Sequence, residues 1–380
     1  MAAQAQAKRA SNPWLDLVRA IAIALVLLRH GERAIGGASE GIGHNIAING
    51  WIGVDLFLVL SGYLITRHLV GAGIGTPTFS FSRYVTLRAL RIVPAYVAVM
   101  MLIIAGAFPV YRADAANLPA SVAWHLLFLQ DYLPANINVV FWSLGVEAKF
   151  YLAAPALVAA ALCCRSAVQV LLLLAAIAAL SPLARWASWM GLPTPIDYDT
   201  FFVVLRSPCH AALEPLIAGV AIAAAEHRGL LAAQAGRGLL WLSGAAAVLL
   251  AWIGSHNLLA PIGWLDATLQ PVLIAALAAA MTLGAVLLRD VPMPAAAPIG
   301  VAASLAYSLY LVHFPLIPLA VTIAAGASSQ TLVFWIIYLG TSTLVAYTLH
   351  HLVERRFLQL KDHLDRGGRS SSPASVRPAT

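Results

Sequence analysis

Apolar runs of about 20 residues recur along the chain, separated by short polar connections. A helix of that length crosses the ~30 Å hydrocarbon layer of a bilayer, which admits only helices and closed barrels as spanning structures. The pattern therefore predicts an all-α integral membrane protein, a bundle of about ten transmembrane helices around a central solvent-accessible channel. The predicted spans are 14–33, 50–68, 86–108, 142–163, 166–186, 207–226, 237–254, 268–289, 300–324 and 330–352.

Composition supports the membrane assignment. Of the 380 residues 61% are hydrophobic and 10% charged, and the mean hydropathy of +0.83 is far above that of water-soluble domains. We expect residues 1–353 to form one transmembrane domain, with no separate soluble catalytic domain. Residues 354–380 are expected to be a cytoplasmic, largely disordered tail, because the end of the chain is rich in Gly and Ser.

The distribution of basic residues predicts the orientation. With the N-terminus inside, 16 of the 23 Lys and Arg fall in cytoplasmic segments and 5 in outer segments. The positive-inside rule therefore favours a cell (inner) membrane protein with both termini in the cytoplasm. The net charge of +7 is explained by this asymmetry, so we expect no nucleic acid as a partner.

Ionisable residues interrupt the first two spans. Arg19 and His30 are eleven residues apart, so on a helix they share one face, roughly 16 Å apart along the axis. His30 ends an outward span and Asp55 begins the following inward one. Charges within a bilayer usually face a bundle interior or a wet cavity. We interpret the two helices as the wall of a reaction chamber.

The polar residues near the outer leaflet suggest acid–base chemistry. A neutral His30 with Asp55 holding its second nitrogen is a competent general base for a hydroxyl. The alternatives are an interfacial role for His30 and a structural ion pair of Asp55 with Arg19. Glu147 begins another inward span, and its partner must lie on a different helix because Lys149, two residues later, does not share its face.

A second candidate site lies at the cytoplasmic side. Arg88 and Arg91 are three residues apart and suit bidentate phosphate binding, although ordinary positive-inside charge explains them equally well. Arg83 precedes them at a helical interval. His313 lies within the ninth span, where a lone histidine is usually structural. No residue spacing indicates a metal site, and three cysteines predict no disulfide framework.

The order of these motifs resembles the acyltransferase-3 family of membrane acyltransferases through most of the chain, in a form without an appended SGNH-type domain. The matching segments are Arg19 with His30, Gly53-Val54-Asp55-Leu56-Phe57 to Ser61-Gly62, Arg88-Ala89-Leu90-Arg91 before Pro94, Trp142-Ser143-Leu144 with Glu147 and Phe150-Tyr151, and Ser308-Leu309-Tyr310-Leu311-Val312-His313.

The resemblance implies transfer of an acyl group, most simply acetyl, from cytoplasmic acyl-CoA to a hydroxyl at the outer face. It makes His30 the catalytic histidine, with Arg19 and Asp55 as essential neighbours. Arg88 and Arg91, with Arg83 beside them, become candidate binders of CoA phosphates. The oxyanion of the thioester requires hydrogen-bond donors. By location, the candidate substrate-binding residues are Ser61, Trp142, Tyr151 and His313.

Several alternatives stay open at the level of sequence. A proton-coupled transporter or flippase would use His30, Asp55 and Glu147 as a proton relay and bind no CoA. A membrane scaffold would tolerate alanine at those positions. The acceptor is a glycan, a lipid-linked sugar or a small molecule, and an acyl-histidine intermediate competes with direct transfer. The oligomeric state, a homodimer included, is undecided.

Overall fold

The computed structural model describes residues 12–36, 40–113, 116–259, 262–327 and 329–370. Within these ranges the chain forms helices and connecting turns, and the only pairing of extended backbone is an isolated bridge between Ile196 and Ile262. Eight helices among the described residues are long and apolar enough to span a membrane. The prediction of an all-α membrane protein is therefore confirmed.

The α-helices are numbered in chain order. They are α1 Pro13–Ile35, α2 Ile42–Ile48, α3 Gly53–Gly71, α4 Phe81–Ile104, α5 Leu118–Leu126, α6 Trp142–Cys163, α7 Ala167–Ala178, α8 Leu180–Trp189, α9 Tyr198–Thr200, α10 Leu213–His227, α11 Ala235–Ser255, α12 Trp264–Leu287, α13 Ala296–Ala324, α14 Gln330–Leu349 and α15 Arg355–Ser370. Short 3₁₀ turns cover Gly50–Ile52, Val139–Phe141 and Cys209–Ala211, and π-helical turns cover Phe201–Arg206 and His350–Glu354.

Nine of the ten predicted spans each coincide with one α-helix, and the span 166–186 coincides with the consecutive helices α7 and α8. Two of the matched helices, α1 and α10, fall outside the eight. The first, α1, is 23 residues long and carries five charged residues, Asp16, Arg19, Arg29, Glu32 and Arg33. The second, α10, has 15 residues and a length of roughly 22 Å. It is shorter than the predicted span 207–226 because Pro208 and the 3₁₀ turn after it delay the start of the α-helix.

Local sequence explains how α1 is placed. The side chain of Asn12 accepts a hydrogen bond from the Trp14 amide, and Pro13 occupies the first turn, where its missing N–H costs nothing. Gly36 ends the helix with φ of 58°, a left-handed conformation that glycine adopts without strain. These signals fix both ends of the helix that carries Arg19 and His30.

The centre of the bundle depends on close backbone contact between α3 and α10. A Cβ atom at Gly62 of α3 would collide with the carbonyl oxygen of Leu216, and one at Gly219 of α10 would collide with the carbonyl oxygen of Val59. Small residues allow helices to approach in a membrane, where no hydrophobic effect drives them together. The helix α1 packs beside this pair, against α3 and α13.

The segment after residue 354 differs from its prediction over Arg355–Ser370, which forms α15. An Arg83 guanidinium nitrogen on α4 donates to the carbonyl oxygens of Leu364 (3.1 Å) and Asp365 (2.7 Å), and lies 3.6 Å from the Asp365 carboxylate. These contacts hold the helix against the bundle. The remainder of the predicted tail, 371–380, lies outside the described residues.

Candidate active site

The described residues form two large cavities. One, named the His30 cavity, has a volume of about 430 Å³, and the other, named the Arg91 cavity, a volume of about 310 Å³. Val54 and Tyr310 line both cavities, and we call the boundary that these two side chains form between the cavities the waist. Arg19 lines the Arg91 cavity, so the shared face of α1 carries a polar residue into each cavity.

His30 is surrounded by rings from α13. Its ring centroid lies 5.2 Å from that of His313 and 5.2 Å from that of Phe314. The Nδ1 atom of His313 is 3.0 Å from the Leu309 carbonyl oxygen, and because a carbonyl only accepts, Nδ1 carries the proton. In the neutral ring the lone pair is then on Nε2, which is buried without a hydrogen-bond partner among the described residues. A second imidazole with an unused acceptor therefore lies beside His30.

Asp55 pairs with an arginine that the sequence analysis did not select. Arg206 Nη1 donates to Asp55 Oδ1 at 2.9 Å and Nη2 to Oδ2 at 2.6 Å, with both side chains buried. None of the hydrogen bonds of the described residues joins Asp55 to His30. The predictions that Asp55 orients His30 or pairs with Arg19 are wrong, because the guanidinium fork of Arg206 occupies both oxygens in a bidentate geometry. Arg19 instead lies 2.6 Å from Asp16.

Two tryptophans enclose the Arg206 guanidinium. Its central carbon lies 5.0 Å from the Trp51 ring centroid and 5.4 Å from that of Trp142, within the range of cation–π attraction. Both rings also line the His30 cavity, so Trp142 is placed where the sequence analysis expected a substrate-binding residue.

Glu147 lines the Arg91 cavity rather than the His30 cavity. It lies five residues after Trp142, about 7.5 Å further along α6, which explains why it is deeper than predicted. Its Oε1 accepts hydrogen bonds from Ser61 (2.6 Å) and Tyr151 (2.5 Å). Each hydroxyl has one proton, so these two side chains are committed to Glu147 and do not serve as oxyanion donors in this arrangement.

The three arginines assigned to CoA have different surroundings. Arg91 is exposed, lines its cavity, and forms no ion pair with a carboxylate of the described residues. Arg88 is buried, with its guanidinium 5.8 Å from the Tyr84 ring, and is not among the cavity-lining residues of the described chain. Arg83 holds α15, so the helical spacing of these residues brings only Arg91 to the cavity.

Polar residues that the sequence analysis did not select complete the two cavities. Tyr310 donates its hydroxyl proton to the Val140 carbonyl oxygen at 2.7 Å and therefore accepts from Ser143 at 2.6 Å. At the Arg91 cavity, Glu354 accepts from Ser308 at 2.8 Å and lies 2.9 Å from His350 Nδ1. Tyr310 lies in the segment Ser308–His313 that carries the family resemblance, but no sequence spacing predicts its contact with Ser143 of α6.

Comparison with known proteins points to acyl transfer. A family model described as an acyltransferase domain matches residues 12–351. The chain is 30% identical over 158 residues to the peptidoglycan O-acetyltransferase OatA of Listeria monocytogenes, which is 38% of this chain and 24% of that protein. It is 29% identical over 150 residues to the putative membrane-bound transacylase BcsY of Komagataeibacter xylinus, 36% of this chain and 34% of that protein.

An uncharacterised protein of Haemophilus influenzae is 35% identical over 116 residues, 27% of this chain and 46% of that protein. The chain thus covers less than half the length of each of these relatives. No solved structure matches the chain.

Proposed function

Because the chain belongs to the acyltransferase-3 family, whose acyltransferase domain matches residues 12–351, we propose that it is an acyl-CoA-dependent O-acyltransferase of the cell membrane. It moves an acyl group, most simply acetyl, from cytoplasmic acyl-CoA to a hydroxyl of a glycan, a lipid-linked sugar or a small molecule. The names of the relatives, which include an O-acetyltransferase of peptidoglycan, support a hydroxyl acceptor.

One observation carries the proposal: an arginine-bearing cavity and a histidine-bearing cavity meet at Val54 and Tyr310. A donor with charged phosphates on a slender arm and an acceptor with a hydroxyl fit such a pair of compartments. The phosphates bind at one cavity, the thioester reaches through the waist, and the acceptor occupies the other. The arrangement allows donor and acceptor to approach from opposite faces of the membrane.

Arg91 is the proposed donor-binding residue. A guanidinium binds phosphoryl oxygens through charge-assisted hydrogen bonds, and Arg91 has no carboxylate competitor among the described ion pairs. The carboxylates in the same cavity are occupied, Glu147 by Ser61 and Tyr151, and Glu354 by Ser308 and His350. Their hydrogen bonds reduce the repulsion that free carboxylates would exert on an anionic donor.

His30 is the proposed general base. It takes the proton of the acceptor hydroxyl as the oxygen attacks the thioester carbon, and the thiolate of CoA leaves as the carbonyl re-forms. A free thiol such as that of cysteine has a reference pKa of about 8.5, so the thiolate of CoA can leave with little assistance from an acid. The ring centroid of His313 lies 5.2 Å from that of His30, and its Nε2 acceptor is unused, so we assign His313 the role of stabilising the imidazolium. His313 then acts as a positioning residue.

The test compares His30→Ala with His256→Ala, an exposed histidine outside both cavities. Mass spectrometry of envelope glycans and small metabolites follows the added acyl mass, and the melting temperature of the purified protein reports acetyl-CoA binding. We expect His30→Ala to abolish transfer and retain stabilisation by acetyl-CoA, about 2.7 kcal/mol at a ligand concentration of 100 Kd. His256→Ala should retain both properties.

Each part of the proposal has its own contrary result. Substantial acyl transfer by His30→Ala excludes the base assignment. A wild-type protein that acetyl-CoA does not stabilise excludes the donor site and favours a proton-coupled transporter. Arg91→Gln supplies the complement, because it should lose stabilisation by acetyl-CoA while the bundle remains folded.

A further inference from the structure

An arginine beside the catalytic histidine has no acidic partner. Arg29 lines the His30 cavity and retains 4% of its exposure, and none of the ion pairs of the described residues includes it. Its Nη1 donates to the Ile48 carbonyl oxygen at 2.9 Å, which is a neutral acceptor. A buried cation is costly in a membrane protein unless an anion accompanies it. The cavity therefore has a position for a negative charge.

The other charges at the cavity do not cancel that of Arg29. Arg206 is neutralised by its two bonds to Asp55. Arg33 lies 3.7 Å from Asp199, and because these side chains are 54% and 80% exposed, the pair is weak and can open. Arg29, Arg33 and Arg206 carry three positive charges, and Asp55 and Asp199 carry two negative charges. The charged residues at the cavity therefore leave a net positive charge.

Tyr198 holds the two outer arginines side by side. The central guanidinium carbon of Arg29 lies 4.9 Å from its ring centroid and that of Arg33 lies 4.8 Å from it. The arginines are four residues apart on α1, so both reach the same face of the helix. Two adjacent guanidinium forks are suited to a carboxylate or a phosphate, which offers several acceptor oxygens.

Aromatic side chains supply much of the remaining cavity wall. The lining includes Trp51, Trp142, Phe201 and Phe202. The apolar faces of such rings accommodate the C–H faces of a sugar, while polar groups at the edge select orientation. The combination of aromatic walls and paired arginines describes a site for a hydroxylated ring that carries an anion.

Resting on the proposed function, we infer that the acceptor is a hydroxylated molecule bearing a carboxylate or phosphate, bound by Arg29 and Arg33 with a hydroxyl presented to His30. Binding of the anion fixes the position of the hydroxyl relative to the imidazole. In this arrangement Arg29 and Arg33 select the acceptor, whereas Arg91 selects the donor.

The first experiment identifies the charge of the product. Envelope extracts from cells that express the wild-type protein or His30→Ala are separated on an anion exchanger at neutral pH, and molecules with an added acetyl mass are identified by mass spectrometry. We expect the wild-type-dependent product to be retained as an anion. Tandem fragmentation then distinguishes a carboxylate, by loss of carbon dioxide, from a phosphate, by its phosphate fragment. A neutral acetylated product overturns the inference and leaves the proposed function intact.

The second experiment tests the arginines. We expect Arg29→Gln and Arg33→Gln each to lower the amount of acetylated product by about 10-fold or more, the range of a lost charge-assisted bond. Stabilisation by acetyl-CoA should remain, because the donor binds in the other cavity. Arg33→Gln is informative even if Arg29→Gln folds poorly, since Arg33 is half exposed. The control is Arg112→Gln, an exposed arginine bonded only to backbone carbonyls of the described chain.

The possible results distinguish a wrong inference about the acceptor from a wrong proposed function. Wild-type product levels in both Arg29→Gln and Arg33→Gln overturn the inference about the acceptor. Complete absence of an acetylated product in wild-type cells overturns the proposed function, and the inference with it.

Discussion

The ion pair between Asp55 and Arg206 gives a quantitative test of the fold around the His30 cavity. Asp55→Leu removes two charge-assisted hydrogen bonds, of 2.9 and 2.6 Å, and leaves a guanidinium that is 5% exposed without its counter-ion. Breaking a buried ion pair in this way costs about 3–5 kcal/mol. Arg206→Met leaves an unpaired carboxylate that is 1% exposed, so we expect a loss of similar size.

The double variant distinguishes an interaction from a general packing defect. Asp55→Leu with Arg206→Met replaces both charges by apolar groups, and such replacements of buried ion pairs are often neutral or stabilising. We therefore expect the double variant to be more stable than either single variant, with a coupling free energy of about 3 kcal/mol or more.

The assay is reversible unfolding in mixed micelles with increasing SDS, followed by circular dichroism or tryptophan fluorescence. Asp362→Asn is the control, because that carboxylate is 57% exposed in its pair with Lys361 and should contribute less than about 1 kcal/mol. Single variants that lose under 1 kcal/mol, or a double variant that loses the sum of both, would refute the reasoning.

Three further predictions follow from other contacts. Gly62→Ala should lower the free energy of unfolding by over ~2 kcal/mol in the same SDS titration, because its Cβ meets the backbone of α10. Its control is Gly244→Ala, whose Cβ meets open space, so that variant should be neutral or stabilising by up to about 1 kcal/mol. Arg83→Ala should raise hydrogen exchange in α15 and leave the transmembrane helices protected, and unchanged exchange there contradicts the anchoring role. Val54→Phe should reduce acyl transfer in the mass-spectrometric assay at least about tenfold without loss of stabilisation by acetyl-CoA, because the larger ring fills the waist. Its control is Val248→Phe, on an exposed face, which should retain transfer.

The helices were predictable because each span contains its own evidence in its apolar residues. A run such as 268–289 requires no knowledge of its neighbours, and α12 occupies Trp264–Leu287. Helix ends were harder to predict where they depend on a local turn or on a residue far away in the sequence. The start of α10 depends on a 3₁₀ turn, and the helical part of the tail depends on carbonyl contacts with Arg83, a residue from a distant part of the chain.

Several residues that line the two cavities were predictable from sequence, whereas their partners were not. Arg19 and His30 face the same interior because their spacing is a property of one helix. The partner of Asp55 is 151 residues away, and no spacing rule identifies Arg206 among the several arginines of the segments predicted to face outward. Glu147 was expected near the outer leaflet with His30 and Asp55, because its depth was judged from the start of the span. It lines the Arg91 cavity instead, five residues and about 7.5 Å along α6 from Trp142.

The waist also bears on the energy supply of the cell. A membrane stores work as a voltage and a proton gradient, and an unbroken file of water between its faces would dissipate both. Val54 and Tyr310 line both cavities, and the Tyr310 hydroxyl is bonded to Val140 and Ser143, so two side chains stand where such a file would pass from one cavity to the other. In the proposed mechanism the thioester must pass the same two side chains that would limit a leak of ions.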